Sequence, residues 1–362
     1  MIRPDYSDWL TKSSYSMDAR IKYNELGSAL TELTRWHQTQ CLQYKRILEF
    51  TGQDKMLING FEDLPFIPVR LFKEMDLLSV KDSLVFKTMT SSGTTGQAVS
   101  RILLDRETAA FQSKVLTRLI SDVLGKKRLP MLIIDSPAVL QNRQSFSARG
   151  AGVLGFSIFG QDVTYALDEN MQLDMPNIEA FLNRHLDQDI FLFGFTYMIW
   201  QHFCQSLQAK NIKLSIERGT LLHGGGWKKL QDQSVTNDHF RHVLESYTGI
   251  LRVINYYGMV EQTGSIYLQC ERGYLHAPIF SDILIRDPVD FHSLGIGQTG
   301  LIETLSLIPL SYPGHALLTE DMGRIEGEDD CACGRLGKYF TVTGRLHKAE
   351  IRGCSDTYDK RT

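Results

Sequence analysis

Thr90-Ser91-Ser92-Gly93-Thr94-Thr95-Gly96 combines two glycines with five hydroxyl side chains. Glycine permits backbone turns that other residues resist and lets the chain pass close to a ligand. Successive backbone amides in such a loop form an anion-binding concavity. Because Gly96 is followed by glutamine rather than lysine, the stretch differs from the GxxxxGK[ST] loop of P-loop NTPases. It predicts a phosphate-binding loop; the alternative is a flexible turn without a ligand.

The surrounding sequence predicts an α/β fold. A strand over Leu84–Met89 precedes the loop, and Arg106–Val123 has the spacing of a helix, so the loop is expected to join a strand to a helix. Short apolar runs separated by helical segments follow, as is typical of buried strands in a largely parallel sheet. These runs are Met131–Ile134, Ile190–Phe193, Thr220–Leu222 and Leu251–Asn255.

The two flanks differ from this core. Residues 7–53 predict two or three helices, and short strands after residue 276 predict a smaller antiparallel layer. We therefore predict one domain over 1–345 and a tail over 346–362. Within the domain we expect a helical part over 1–80, an α/β core over 81–275 and a β-rich part over 276–345.

Composition excludes several classes of function. A net charge of −3 without a long basic run argues against nucleic-acid binding. The longest apolar stretch, around Phe191–Ile199, is far shorter than the ~20 residues of a membrane span. The N-terminus lacks the pattern of an export signal, so we expect a reducing, cytoplasmic location in which clustered cysteines are metal ligands or reactive thiols.

Four short motifs follow the loop: His223-Gly224-Gly225-Gly226-Trp227-Lys228, Asn255-Tyr256-Tyr257-Gly258-Met259-Val260-Glu261, Leu318-Thr319-Glu320-Asp321 and Gly344-Arg345. With the loop they resemble the adenylate-forming superfamily, which includes acyl-CoA synthetases and firefly luciferase. The resemblance implies that this chain is the large N-terminal domain of such an enzyme. The chain ends where longer members begin a C-terminal lid of ~100 residues, so we expect the lid to be absent.

The same resemblance implies a role for each motif in binding ATP and Mg²⁺. Residues 90–96 would hold the phosphates, with Thr94 and Thr95 steadying their oxygens during the reaction. Gly224, Gly225 and Gly226 would approach the adenine, and Tyr257, next to Gly258, would stack on it. Glu261 would hold the magnesium ion, Asp321 would bind the ribose and Arg345 the ribose or a phosphate. The alternatives are a simple turn, a structural glutamate and solvated surface charges.

Within the superfamily the chain resembles the LuxE-type acyl-protein synthetases (the long-chain-fatty-acid–luciferin-component ligase family), with phenylacetate–CoA ligases as neighbours. Leu64–Lys73, Gly224–Lys228, Val260-Glu261 and Glu350–Cys354 carry this resemblance. Val260, where many superfamily members have threonine, is a feature of this branch. No lysine matches the one that the lid supplies for adenylation; Lys228, Lys229 and Lys348 are possibilities.

The LuxE-type resemblance also implies a role for Cys354. It would accept the acyl group from the adenylate as a thioester and pass it to an acyl reductase partner. A thiolate is a strong nucleophile, and Arg352 nearby favours the ionised form. The alternative is an incidental cysteine near the end of the chain.

Cys331-Ala332-Cys333 places two thiols at close spacing, and Cys270 and His276 lie where the core is expected to meet the β-rich part. Zinc prefers four nitrogen or sulfur ligands in a tetrahedron, and some phenylacetate–CoA ligase relatives bind structural zinc through a similar set. These four residues predict a zinc site; buried free cysteines are the alternative.

The predicted function is ATP-dependent activation of a carboxylic acid, a fatty acid by the family resemblance, to acyl-AMP, followed by transfer to Cys354. One alternative is a ligase that releases the acyl group to CoA or a carrier thiol. Another is a nucleotide-binding scaffold without turnover. The sequence does not choose the acid: Phe156, Phe159, Phe191, Phe193 and Phe195 would line either an acyl tunnel or the core.

Overall fold

The computed structural model describes residues 2–91, 99–140, 148–226 and 235–346. The chain divides into two compact units: Met1–Leu116 together with Met259–Thr362, and Thr117–Gly258. The predicted mixed α/β class, with helices, parallel strands and antiparallel strands, is confirmed. The regional boundaries at 80/81 and 275/276 stay predictions.

The first segment of the discontinuous unit begins with helices. Helix α1 starts after Asp18, whose side chain accepts a hydrogen bond from the Ile21 amide; helix α2 ends at Gly52, which has a φ of 72°. The elements of this segment are α1 (Ala19–Gln40), α2 (Leu42–Thr51), β1 (Ile67–Pro68), α3 (Leu71–Glu74), β2 (Val85–Thr90), β3 (Arg101–Asp105) and α4 (Arg106–Leu124).

The expected strand–loop–helix order around residues 90–96 is wrong. Strand β3 follows the loop and pairs with β2 in an antiparallel hairpin, in which Thr90 lies opposite Arg101. Ile102 and Leu104, which share one face of β3, are buried. The predicted loop therefore lies between the two strands of a β-hairpin in sequence, and the helix begins only at Arg106.

The unit Thr117–Gly258 has a parallel sheet in the order β8-β7-β6-β4-β5. Its strands are β4 (Leu129–Ile133), β5 (Gly160–Tyr165), β6 (Ile190–Phe195), β7 (Gly219–Gly224) and β8 (Arg252–Gly258). Its remaining helices are α5 (Ala148–Ser157), α6 (Met175–Arg184), α7 (Thr196–Met198), α8 (Gln205–Lys210) and α9 (Asn237–Thr248), with a π-helical turn over Ile199–Cys204 between α7 and α8. All of β6 and β7 is buried, as the apolar runs predict.

Strand β5 pairs with one edge of β4, and β6, the next strand along the chain, pairs with the opposite edge of β4. The point between β4 and β6 is thus a topological switch point. In open α/β sheets ligands bind outside the carboxyl ends of the strands at such a point.

The last segment forms the predicted antiparallel layer, in the order β12-β11-β13-β14-β15-β10-β9. Its strands are β9 (Ile266–Gln269), β10 (Leu275–His276), β11 (Ser281–Arg286), β12 (Ser293–Leu294), β13 (Thr299–Ser306), β14 (Ala316–Glu328) and β15 (Lys338–Arg345). Strand β14 is much longer than the predicted Ala316–Thr319, and it also pairs in parallel with β1. Among the described helices, none is both long and apolar enough for a membrane span.

Candidate active site

The base of the predicted phosphate loop is closed by two bonds between Ser91 and Ser100. The Ser91 amide donates to the Ser100 carbonyl at 3.2 Å, and the Ser100 amide donates to Ser91 Oγ at 2.9 Å. Thr90 is the last residue of β2. Ser92, Gly93, Thr94, Thr95 and Gly96 lie outside the described residues, so their phosphate contacts stay predictions.

Glu261, the predicted magnesium ligand, lies in a short 3₁₀ turn over Val260–Gln262 and is buried. Its carbonyl accepts a hydrogen bond from the Tyr312 hydroxyl at 2.9 Å. The neighbouring Gln262 donates to the carbonyls of Thr304 and Gly314 at 3.0 and 2.8 Å. The antiparallel layer thus fixes the backbone on which the Glu261 carboxyl is carried.

The charge of Glu261 is poorly compensated. Burial raises the pKa of its carboxyl, and the Ser100 side chain, Lys73 and Arg345 oppose that rise without cancelling it. A cation bound at this carboxylate would therefore relieve a desolvation cost. Glu261 and Arg345 were predicted to bind the metal ion and the nucleotide, whereas Lys73, the last residue of the Leu64–Lys73 motif, was given no role.

Asp321 and Arg345, the predicted ribose and phosphate contacts, lie directly opposite each other on β14 and β15. Arg345 Nε is 3.2 Å from Asp321 Oδ1, and neither side chain is buried. Because Arg345 also acts on Glu261, one compact unit brings together the loop base, the acidic residue and this ion pair.

The other predicted nucleotide contacts lie at the carboxyl edge of the parallel sheet. Gly224 ends β7 opposite Tyr256 of β8, and Tyr257 and Gly258 complete β8. Gly225 and Gly226 follow with φ values of 85° and 59°, which favour glycine. A Cβ on Gly225 would lie 2.6 Å from a ring carbon of Phe195. The triple glycine therefore lets the chain turn against an aromatic wall.

His223, the first residue of the glycine motif, and Thr196 support that turn, although neither was given a role from the sequence. Thr196 Oγ1 donates to the Gly224 carbonyl at 3.1 Å, so it accepts from His223 Nδ1 at 2.9 Å. Burial lowers the pKa of His223 to about 3, so the ring is neutral. The position of His223 at the end of an apolar run was the signal available in the sequence.

Asp135 and Arg149 are a second unpredicted pair. Asp135 is 1% exposed, two residues beyond β4, and its Oδ2 is 3.1 Å from Arg149 Nε of helix α5. Arg149 Nη1 also donates to the sulfur of Met198, in α7 just beyond β6, at 3.6 Å. The signal for this pair was an aspartate immediately after the predicted strand Met131–Ile134, since strand ends of parallel sheets carry functional groups.

The aromatic residues considered for an acyl tunnel form packed core. Phe156 stacks on Phe193 with ring centroids 4.4 Å apart and contacts Tyr256 at 5.4 Å. Phe193 meets Phe195 edge to face at 5.8 Å. Phe191 is fully buried, and Phe159 contacts Phe156. These contacts favour a role in the hydrophobic core over a role in an acyl tunnel.

The four predicted zinc ligands lie together in the antiparallel layer. Cys270 and His276 flank the β9–β10 turn, Cys331 and Cys333 lie between β14 and β15, and their ligand atoms are all within 4.8 Å of one another. Cys333 Sγ is 3.3 Å from His276 Nε2. Zinc bond lengths of about 2.3 Å to sulfur and 2.0 Å to nitrogen give tetrahedral edges of about 3.5–3.8 Å. The donor set therefore fits zinc after a small contraction.

Cys354 and the three possible lysines, Lys228, Lys229 and Lys348, lie outside the described residues. Their roles stay predictions. The cysteines that the structure describes are all free thiols: Cys41, Cys204, Cys270, Cys331 and Cys333.

Comparison with known proteins identifies the family. The profile of the family described as acyl-protein synthetase, LuxE, matches residues 12–362. The chain belongs to this family. A curated relative, the long-chain-fatty-acid–luciferin-component ligase of Vibrio harveyi, is 24% identical over 331 residues, covering 89% of this chain and 84% of the relative.

Two solved structures of 2-hydroxyisobutyryl-CoA ligase have a similar fold. One is in the postadenylation state with 2-HIB-AMP, and one is an open conformation with 2-HIB-AMP and CoA; each gives a TM-score of 0.69. They are 15% and 16% identical to this chain, cover 96% and 100% of it, and are themselves covered over 72% and 81% of their length. At this identity the likeness shows the fold alone. With the family it confirms an adenylate-forming fold and an acid–thiol ligase whose chemistry is acyl activation.

Proposed function

We propose that this acyl-protein synthetase uses Mg-ATP to convert a carboxylic acid, of the fatty-acid class, into acyl-AMP and then transfers the acyl group to its own Cys354. The observation that supports this most is the grouping of Ser91, Ser100, Glu261, Asp321 and Arg345 in one compact unit. It joins a hydroxyl-lined loop base, a buried acid and a cation, as binding of a metal–triphosphate requires.

In the first step a carboxylate oxygen attacks the α-phosphorus of ATP. The bond from that phosphorus to the oxygen bridging to the β-phosphate breaks, and pyrophosphate leaves. Residues 90–96 position the phosphates and Glu261 holds the metal ion, which when bound neutralises phosphate charge. Arg345, already oriented by Asp321, stabilises charge on the phosphate, while Asp321 accepts from the ribose hydroxyls. Positioning and charge neutralisation supply most of such a rate enhancement.

In the second step the Cys354 thiolate, having lost its proton to solvent, attacks the acyl carbonyl carbon. The carbon–oxygen bond to AMP breaks, AMP leaves and a thioester forms. An acyl reductase partner then receives the acyl group. The membership in the acyl-protein synthetase family supports this acceptor over CoA.

Acid-dependent exchange of labelled pyrophosphate into ATP tests the first step, and radiolabelled acid that stays on denatured protein tests the second. Cys354→Ser is expected to abolish the stable label and to leave exchange unchanged. Cys204→Ala, at a buried thiol, is the matched control and retains the label. Wild-type exchange without protein label, with acyl-CoA formed on addition of CoA, would overturn the acceptor. Nucleotide binding without exchange for any acid would leave only a scaffold.

We also propose that Cys270, His276, Cys331 and Cys333 hold a structural Zn²⁺. Such a site fixes the β9–β10 turn to the β14–β15 connection and supplies folding energy rather than chemistry. Metal analysis of gently purified protein is expected to give about one zinc per chain, and Cys331→Ser is expected to lose it together with thermal stability. A full complement of zinc in Cys331→Ser would contradict this ligand set.

A further inference from the structure

The switch point of the parallel sheet carries a charged pair that the mechanism above does not use. Asp135 follows β4, and Arg149 lies in α5 with its side chain 28% exposed. Asp135 Oδ1 accepts from the Ser136 amide at 2.7 Å, and Oδ2 faces Arg149 Nε. The backbone thus holds one oxygen of this buried carboxylate, and the other lies at ion-pair distance from the guanidinium.

This guanidinium has donors to spare. Asp135 occupies its Nε side, and Met198 Sδ, a weak acceptor, is the other partner that the described residues provide. The terminal edge, formed by Nη1 and Nη2, has the fork geometry that matches a carboxylate. An arginine that is held by a buried acid and only partly exposed is a preorganised anion receptor.

The pair lies between a closely packed helix and an irregular helical turn. Gly152, in the same helix as Arg149, lies so close to Phe195 that a Cβ would approach the ring to 2.8 Å. The π-helical turn over Ile199–Cys204 begins directly after Met198, and such turns occur frequently at functional sites. Its His202 acts electrostatically on Asp135.

We propose that Arg149, held in place by Asp135, binds a carboxylate of the acid substrate at the carboxyl ends of β4 and β6. This inference rests on the proposed function for its ligand class, since a carboxylic acid is the substrate of acyl activation. The carboxylate is either the reacting one or a second one on the same acid, and matched acids separate these two cases.

The test is direct titration of acid into the full-length protein without ATP, with hexanoate and hexanedioate as a pair of equal chain length. Arg149→Gln is expected to weaken binding about tenfold to a hundredfold, the usual effect of losing hydrogen bonds to a charged group. If both acids lose affinity, Arg149 binds the reacting carboxylate. If only hexanedioate loses affinity, Arg149 binds the second carboxylate of that acid. Arg149→Lys keeps the positive charge but not the forked guanidinium, so we expect it to lose less affinity than Arg149→Gln.

Arg218→Gln is the matched control. Arg218 pairs with Asp189 at 2.7 Å, but both are exposed and lie at the amino ends of β7 and β6, the opposite edge of the sheet. The Kd values of the Arg218→Gln variant for both acids are expected to equal those of the wild type. Asp135→Asn tests whether Asp135 positions Arg149. We expect this substitution to weaken acid binding when Arg149 is present and to have no further effect when it is combined with Arg149→Gln.

Thermal melting accompanies each titration, and Arg149→Lys decides the question if Arg149→Gln does not fold. Unchanged Kd values in the Arg149 variants, or no binding of either acid by the wild type, would overturn this inference. Binding that depends on Arg149 without pyrophosphate exchange would support it and refute the proposed function, so the two failures are distinguishable.

Discussion

Arg286→Met is expected to destabilise this enzyme in a pH-dependent way. Arg286 and Glu303 face each other on β11 and β13, 5% and 0% exposed at their side chains, with Nε 2.5 Å from Oε2. Arg286 also donates to the carbonyls of Glu62 and Phe291 at 3.0 and 3.3 Å. The substitution removes the ionic partner of a fully buried carboxylate and two hydrogen bonds.

The magnitude follows from the charge left behind. Removing one partner of a buried ion pair costs about 3–5 kcal/mol, a large fraction of the about 5–15 kcal/mol that stabilises a typical domain. Burial raises the pKa of Glu303 to about 7, even though Arg286 opposes the rise. Without Arg286 the pKa rises further.

The sign of the pH dependence follows. A carboxyl whose pKa is higher in the folded state destabilises the fold as pH rises above its unfolded value. At pH 5.5 Glu303 of the variant is protonated, so the loss is about 1–2 kcal/mol from hydrogen bonds alone. At pH 8.5 the loss is expected to approach about 3–5 kcal/mol.

Urea unfolding at the two pH values measures these losses. Arg324→Met is the control, because Arg324 pairs with Glu326 at 2.9 Å on the same sheet but is 43% exposed at its side chain; we expect a cost of at most about 1 kcal/mol. If Arg286→Met costs no more than the control, or costs the same at both pH values, the reasoning from an unpaired buried charge is wrong.

Two further predictions concern the site. Glu261→Gln is expected to lower pyrophosphate exchange at least about a hundredfold and to weaken the dependence of exchange on magnesium concentration. Glu271→Gln, at an exposed side chain, is the control and is expected to leave both unchanged. Equal exchange rates in the two variants would show that Glu261 is not a metal ligand. Gly225→Ala is expected to cost about 2–4 kcal/mol in urea unfolding, from its positive φ and the contact with Phe195. Gly273→Ala has the same φ of 85° with nothing within 4 Å and costs about 1–2 kcal/mol, so equal costs would show that the clash is absent.

Local patterns predicted most of the fold. Apolar runs such as Ile190–Phe193 gave the buried strands, and helical spacing gave α4 to within one residue. The hairpin strand Arg101–Asp105 was missed because its five residues run directly into the long helix that begins at Arg106. The length of β14 was missed because its second half, with glycines and charges, is held by pairing with β13 and β15.

The residues of the candidate site also differ in how well the sequence indicates them. Glu261, Asp321 and the Cys/His set could be proposed from the sequence because each belongs to a short motif, and the structure brings the four Cys/His residues together from positions about sixty residues apart. Arg149 was not proposed, because an isolated basic residue carries no local signal, and Lys73 was given no role although it closes the Leu64–Lys73 motif. Their positions depend on tertiary contacts, with Asp135 in one case and near Glu261 in the other.

The discontinuous unit has a consequence for synthesis on the ribosome. Thr117–Gly258 is contiguous and can fold as soon as it has emerged, since its strands pair with one another. The first 116 residues cannot finish folding then, because β1 needs β14 and the buried Lys22 needs Asp282, 3.3 Å away. The N-terminal helices, which carry the buried Leu26, Leu30 and Leu33, therefore cannot complete their packing until β14 has been translated, and a chaperone is expected to act on them during that interval.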